Sequence, residues 1–396
     1  MGRRNYHPFL MRALSPALTA VALGAILPAW AATAEAAKPQ TPVPQTPVIE
    51  GLSLQEVVDA IPAMTEAARQ GDTNGMVFLG LVYDAGQGVS VDHVKAAALF
   101  RQAADAGSAD GQALLAAHYV DASGVERNLA EAVRLYKLSA NQGNILAETK
   151  LAKMYQLGEG TGRDLAEATR LNRLAIAGGS AEAALDLGVQ YSNGEGVPRD
   201  MAEAMRLFRQ AAEQGFAMAQ TRLAIAYLED PQVPHDPAEA AKWLQLSAEK
   251  GDATASAILA DLYFQGRGVP KDPARSFHWA HLAADQGNTR AQFLTGLLYI
   301  QGLGVAKDEA QGILWWRKAA ENGQAMAQSA MGRLYKSGLG VEKDPQQAVR
   351  WLRLAADQGE PMATALLAAM YAQGDGIPQD TAEAARLRAK LPPAPQ

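Results

Sequence analysis

No cysteine occurs anywhere in the 396-residue chain. That absence excludes disulfide bonds, zinc–thiolate sites and a thiol nucleophile, and with them the acylated cysteine of a lipoprotein. An exported protein of this composition must be held by packing alone. A dominant charge sign is also lacking, because 36 Lys and Arg stand against 42 Asp and Glu for a formal net charge of −6. The signs are interspersed, which makes nucleic acid and anionic membrane surfaces poor candidate partners. Two apparent motifs are incomplete. Gly158-Glu-Gly160-Thr-Gly162 lacks the Lys-Ser/Thr ending of a phosphate loop and follows a helical pattern instead of a strand. His278 and His281 have the spacing of two metal ligands on a helix but no third ligand beside them.

What the chain has in abundance is itself. Glycines at 71, 107, 143, 179, 215, 251, 287, 323 and 359 begin units of 36 residues that follow one another without insertion. A fixed period of this size is the mark of a stacked repeat architecture. The unit from Gly323 shows the pattern. Ala327, Met331 and Tyr335 fall on one face of a first helix, and Ala348, Trp351, Leu352, Ala355 and Ala356 on one face of a second. Gly338 and Gly340 mark the turn between them, Asp344 and Pro345 start the second helix as N-cap and first residue, and Gly359 ends it.

Comparison of the units with one another picks out the positions that packing needs. Tyr83, Tyr119, Tyr155, Tyr191, Tyr227, Tyr263, Tyr299, Tyr335 and Tyr371 form an unbroken column. Four residues before each comes an apolar column interrupted only by Thr295. Alanines such as Ala147, Ala183 and Ala219 in the first helix, and Ala104, Ala140 and Ala212 in the second, let neighbouring helices approach closely. Trp243, Trp279, Trp315 and Trp351 recur at one second-helix position in units five to eight, where Leu99, Leu135, Leu171 and Leu207 stand in units one to four. Unit five departs most, with Asp230-Pro-Gln-Val in place of the two-glycine turn, and unit three has Thr161 for the usual valine; both turns are expected to differ in shape.

The composite pattern A-x3-L-G-x2-Y-x2-G-x-G-V-x2-D-x3-A-x2-W-x3-A-A-x-Q-G resembles the Sel-like repeat (SLR) family, relatives of the tetratricopeptide repeats. The resemblance covers roughly residues 71–390 and implies an all-α, right-handed superhelical solenoid of nine stacked αα hairpins, the last one truncated. It also implies an adaptor that binds proteins, since SLR proteins are commonly adaptors in assembly, envelope regulation or host contact.

The ends have a different logic. Arg3, Arg4 and Arg12 precede an apolar stretch ending in small residues at Ala29-Trp-Ala31 and Ala32-Thr-Ala34, which reads as a secretory signal peptide over residues 1–34. The alternative is an uncleaved membrane anchor. Loss of those three arginines from a net −6 leaves −9 for the mature chain. Residues 35–51 form a Pro-rich linker, 52–70 a capping helix matching the end of a second helix, 71–390 the repeats, and 391–396 a disordered tail begun by Leu391-Pro-Pro. A periplasmic or secreted location follows.

Several residues imitate catalytic motifs. Asn128, Asp164, Asp200, Asp236 and Asp380 are each followed three residues later by Glu131, Glu167, Glu203, Glu239 and Glu383. Recurrence at a helix start identifies these acidic pairs as capping boxes, not as a general acid and base. Ser247-Ala-Glu-Lys250 matches the S-x-x-K of penicillin-recognising enzymes. Yet Ser247 occupies the place of Ala211 and Ala355 in other units, so it reads as the end of a helix. No catalytic, cofactor-binding or metal-binding residue is therefore assigned.

The remaining candidate surface is the first-helix arc that the repeat leaves free, at positions 3, 7, 10 and 14 after each unit's glycine. Unit three places Leu146, Lys150, Lys153 and Leu157 there, unit four Glu182, Asp186, Val189 and Asn193, and unit five Met218, Arg222, Ile225 and Glu229. These stripes are expected to line a concave wall that binds a protein or peptide, with adjacent patches of opposite sign in units three and four. The alternative is that such side chains pack between units. Two other functions compete with the scaffold: a cell-wall-related or β-lactam-interacting enzyme, and a structural subunit of an envelope secretion or polysaccharide-export assembly.

Overall fold

A computed structural model describes residues 52–391. The expected signal peptide and linker, and residues 392–396 of the expected tail, lie outside the described residues. Among the described residues there are nineteen α-helices and no strand. Helix α1 (Leu54–Arg69) comes first, and nine helix pairs follow. They are α2 (Thr73–Ala85) with α3 (His93–Asp105), α4 (Ala109–Asp121) with α5 (Leu129–Ala140), α6 (Ile145–Leu157) with α7 (Leu165–Ala177), and α8 (Ala181–Asn193) with α9 (Met201–Glu213). Then come α10 (Ala217–Glu229) with α11 (Pro237–Ala248), α12 (Ala253–Gln265) with α13 (Pro273–Asp285), and α14 (Thr289–Gln301) with α15 (Glu309–Glu321). Helices α16 (Ala325–Ser337) with α17 (Pro345–Asp357) and α18 (Pro361–Gln373) with the short α19 (Thr381–Arg388) complete the series. The described residues form two compact units, divided between Ala211 and Ala212. Within each, helices pack against their neighbours in sequence.

The apolar column forms the core. Leu79, Leu115, Leu151 and Leu187 in the first unit and Leu223, Leu259, Met331 and Leu367 in the second are all at most 5% exposed. Thr295, the exception in sequence, is equally buried, and its hydroxyl has no partner. The alanine columns close the helix contacts, and glycine brings others closer still. A Cβ on Gly80 would lie 2.3 Å from the Phe100 ring, and one on Gly188 2.6 Å from Phe208. At the start of the chain, Ser53 and Glu56 cap α1 reciprocally, and Val57, Ala60 and Met64 pack on Phe78, Leu79 and Val82. Helix α1 thereby covers the apolar side of the first repeat.

The interhelix turn is built from backbone bonds. Gly338 (φ 77°) and Gly340 (φ 68°) take the left-handed conformation, and the N–H of the N-cap Asp344 then donates to the Tyr335 carbonyl at 2.9 Å. The equivalent bond from N-cap N–H to tyrosine carbonyl recurs in all nine repeats at 2.8–3.1 Å. It corrects the capping-box expectation. Asn128, Asp164, Asp200, Asp236 and Asp380 do accept from the N–H of the glutamate three residues on, at 2.9–3.0 Å. Their own N–H groups, however, are already satisfied by tyrosine carbonyls, so the glutamates turn to basic neighbours such as Arg134, Arg170, Arg206 and Lys242. In unit five the turn does change shape: Asp230 is extended (φ −80°, ψ 123°) where other repeats have a left-handed cap, and its carboxylate accepts from the Gln232 N–H at 2.8 Å. Asp236 still reaches the Tyr227 carbonyl, at 3.1 Å. Unit three keeps the ordinary turn despite Thr161, with Gly158 and Gly160 at φ 76° and 68°.

Candidate partner-binding surfaces

The first-helix stripe has two fates. In unit three, Leu146 is only 5% exposed and joins Leu151 and Met154 in the core, so it is not a surface residue. Lys150 Nζ lies 2.8 and 2.9 Å from the two carboxylate oxygens of Glu182, and Lys153 Nζ 3.0 Å from Asp186 Oδ1. Patches of opposite sign expected to face a partner therefore face each other across the α6–α8 junction. The physical cause is stacking, which sets the stripes of successive first helices side by side, with position 7 of one opposite position 3 of the next and position 10 opposite position 7. Burial raises the Asp186 pKa above the usual aspartate value, against the opposing pull of Lys153. Related inter-repeat contacts join Asp84 to His118 at 3.4 Å and Asp110 to Asn144 at 2.7 Å in the first unit. In the second they join Asp261 to Arg290 at 2.6 Å and Lys336 to Asp375 at 2.8 Å.

Other stripe residues are open. Leu157 and Asn193 are exposed in the first unit, and Met218, Arg222 and Glu229 in the second, whereas Val189 and Ile225 are half-buried. Met326 and Met362 share the repeat position of Met218, and the three are 51–61% exposed. Helices α16 and α18, which carry Met326 and Met362, touch directly. Exposed apolar side chains recurring at one position are unusual on a surface with no binding role, and methionine adapts its shape to a partner.

The second helices present a surface that the sequence reading overlooked. Basic residues recur 36 apart at Arg101, Lys137, Arg173 and Arg209, and again at Arg317 and Arg353. Arg101, Arg173, Arg317 and Arg353 each donate to the hydroxyl of the next repeat's tyrosine, at 2.8, 3.1, 3.4 and 2.8 Å. Clefts open at corresponding places, with about 430 Å³ beside Arg101 and Tyr119, about 390 Å³ beside Lys137 and Tyr155, and about 700 Å³ beside Arg317 and Tyr335. The periodic signal was present in the sequence, but basic residues on a helix read as ordinary solvated surface until the tyrosines are placed next to them.

The motif imitations have packing roles. Ser247 is fully buried, with its hydroxyl 2.9 Å from the Ala217 carbonyl and 2.8 Å from the Thr221 hydroxyl. Lys250 reaches away to the Gly215 carbonyl. His281 stacks on Phe277 with ring centres 5.4 Å apart and meets Trp315 edge-on at 5.5 Å, while His278 contacts Trp279 at 4.9 Å.

Comparison with known proteins completes the picture. The Sel1 repeat profile matches nine consecutive stretches, 73–108, 109–144, 145–180, 181–216, 217–252, 253–288, 289–324, 325–360 and 361–387. The chain is similar to the crystal structure of c5321, a protective antigen present in uropathogenic Escherichia coli strains and displaying an SLR fold. Identity is 31% and the TM-score 0.66, over 83% of this chain and 78% of that one. It is also similar to a Sel1 repeat protein from Oxalobacter formigenes, with 29% identity and a TM-score of 0.55 over 62% of this chain and 96% of the other. No curated protein matches it.

Proposed function

The chain belongs to the Sel1 repeat family, whose members are generally protein–protein interaction scaffolds, and from that premise we propose that it is an exported scaffold without catalysis of its own. Its partner is a protein or peptide held on exposed first-helix residues. The observation that carries this reading is the exposure of Met326 and Met362 at one repeat position on two touching helices. Leu157 and Asn193 in the first unit, and Met218, Arg222 and Glu229 in the second, extend the same kind of surface. Lys150, Lys153, Glu182 and Asp186 contribute to register through their mutual pairing, and Leu146 to the core. Export rests on the basic and apolar character of residues 1–34, and the antigenic role of the Escherichia coli relative supports it. Among the described residues no helix is long and apolar enough to cross a membrane.

The test uses a photo-crosslinking amino acid at Met326 in the full chain. Crosslinking to a discrete partner in the periplasm is expected, with a yield that falls at least about tenfold when Met362 is replaced by Glu and no change in thermal stability. Undiminished crosslinking in Met362→Glu would overturn the assignment of this surface. Export is tested separately by sequencing the mature N-terminus, expected between Ala32 and Glu35.

A further inference from the structure

Three repeats carry a charge at position 10 of the first helix: Lys153, Asp261 and Arg333. The first two are matched by the next repeat, Lys153 by Asp186 at its position 7, 3.0 Å away, and Asp261 by Arg290 at its position 3, 2.6 Å away. Arg333 on α16 has no such match. The residues at positions 3 and 7 of the next repeat are Met362 and Leu366 on α18, and neither is charged. The Arg333 side chain is exposed, and its guanidinium makes no ion pair or hydrogen bond among the described residues. Helices α14, α16 and α18 contain no acidic residue at all. The four carboxylates of the last repeat are each engaged elsewhere. Glu360 accepts from the N–H groups of Met362 and Ala363, Asp375 pairs with Lys336, Asp380 caps α19, and Glu383 pairs with Arg353 and Arg386. Met326 and Met362 are 51% and 61% exposed, and Leu366 is half-buried.

We propose, as a refinement that rests on the first-helix reading, that the partner docks here with an aliphatic protein segment bearing one carboxylate. The carboxylate pairs with Arg333, and aliphatic side chains beside it cover Met326, Met362 and Leu366. Charge complementarity supplies the acid: where the array answers a charged position 10 from the next first helix, α18 offers only apolar groups, so the partner takes that place. Arginine receives a carboxylate through two parallel N–H donors, which fixes the register of the segment. Covering the methionines excludes water from the pair and strengthens it. Methionine suits the aliphatic contacts because it adapts its shape to whatever covers it. A fatty acid has the same two groups, but side chains more than half exposed enclose no tail. A protein segment brings several side chains to separate points on two helices.

The experiment selects random twelve-residue peptides, displayed on phage, against the full chain. Enriched peptides are expected to carry an Asp or Glu flanked by Leu, Ile, Val or Met. The most enriched one, labelled and followed by fluorescence anisotropy, should bind Arg333→Gln at least about tenfold more weakly, with no change in melting temperature. Exchange of its acid for the amide should cost as much against the parent chain and almost nothing further against Arg333→Gln, because the two groups meet. Arg388→Gln, which removes an exposed cation from α19, should leave binding unchanged. Enrichment of peptides without an acid, or an acid whose exchange costs the same in both chains, would overturn the proposal. So would competition by laurate as effective as that of the unlabelled peptide, since the occupant would then be a lipid. The double variant Met326→Ala, Met362→Ala separates the two readings. A large loss there without any dependence on Arg333 overturns only the carboxylate assignment, whereas undiminished binding overturns the first-helix surface as well.

Discussion

At the scale of the residue, one column of the repeat contains both the largest contributors and the clearest misfit. Leu223 is fully buried, and Leu223→Ala should cost about 2–5 kcal/mol through the lost transfer energy and the cavity left behind. Thr295 occupies the equivalent site with a hydroxyl that has no partner. Thr295→Val keeps the shape and removes the unpaired group, so chemical denaturation should show a gain of about 1 kcal/mol. A loss on that substitution would mean that the hydroxyl is satisfied. Ser247→Ala lies between the two. The serine links α11 to α10 through the Ala217 carbonyl, and its removal should cost about 0.5–1.5 kcal/mol. Alanine at the same position in Ala211 and Ala355 shows that the repeat tolerates the exchange.

At the scale of the element, helix starts and repeat junctions can each be tested by a contrast. Because Asn128 caps α5 while Glu131 pairs with exposed Arg134, Asn128→Ala should cost about 1 kcal/mol and Glu131→Ala less than about 0.5 kcal/mol. Equal costs would restore the reciprocal capping box that the Tyr119 carbonyl makes unnecessary. The α6–α8 junction has a pH signature. Burial raises the Asp186 pKa in the folded chain above its ordinary 3.8, so the ionised group opposes folding at neutral pH. That opposition fades as pH falls through the folded value and is gone below the unfolded one. Asp186→Asn should accordingly be most favourable relative to the parent near pH 7 and lose that advantage toward pH 4, as followed by thermal melts. The opposite trend would show that the Lys153 pair outweighs the cost of burial.

At the scale of the whole molecule, helices within each unit rest on their sequence neighbours, so the stability of a unit is a sum of local terms and neighbouring interfaces. The end elements have fewest of these. Helix α19 is eight residues long and buries only Ala384 and Leu387, whereas α11 to α17 are packed on both sides in sequence. Native-state hydrogen exchange should therefore find the weakest protection in α19, then α18, and stronger protection in the interior repeats. Uniform protection along the chain would mean a single cooperative unit in place of a repeat array.

The sequence by itself determined the helices, their pairing and the repeat core, because a 36-residue period compares nine solutions to one packing problem within a single chain. A column such as Leu79 to Leu367 separates core from surface by recurrence alone. The expected caps at Asp344 and Gly359 likewise depend on adjacent residues, and both occur, with Asp344 at the N-cap and Gly359 at φ 83°. What one repeat sets against the next was decided only by the tertiary structure. Lys150 and Glu182, or Arg101 and Tyr119, are far apart in sequence and meet because stacking brings different positions of successive repeats together. A variable residue looks the same in sequence whether it faces solvent or the variable residue of its neighbour. The choice depends on the rise and rotation between hairpins, which close packing of the whole repeat fixes and no local pattern encodes.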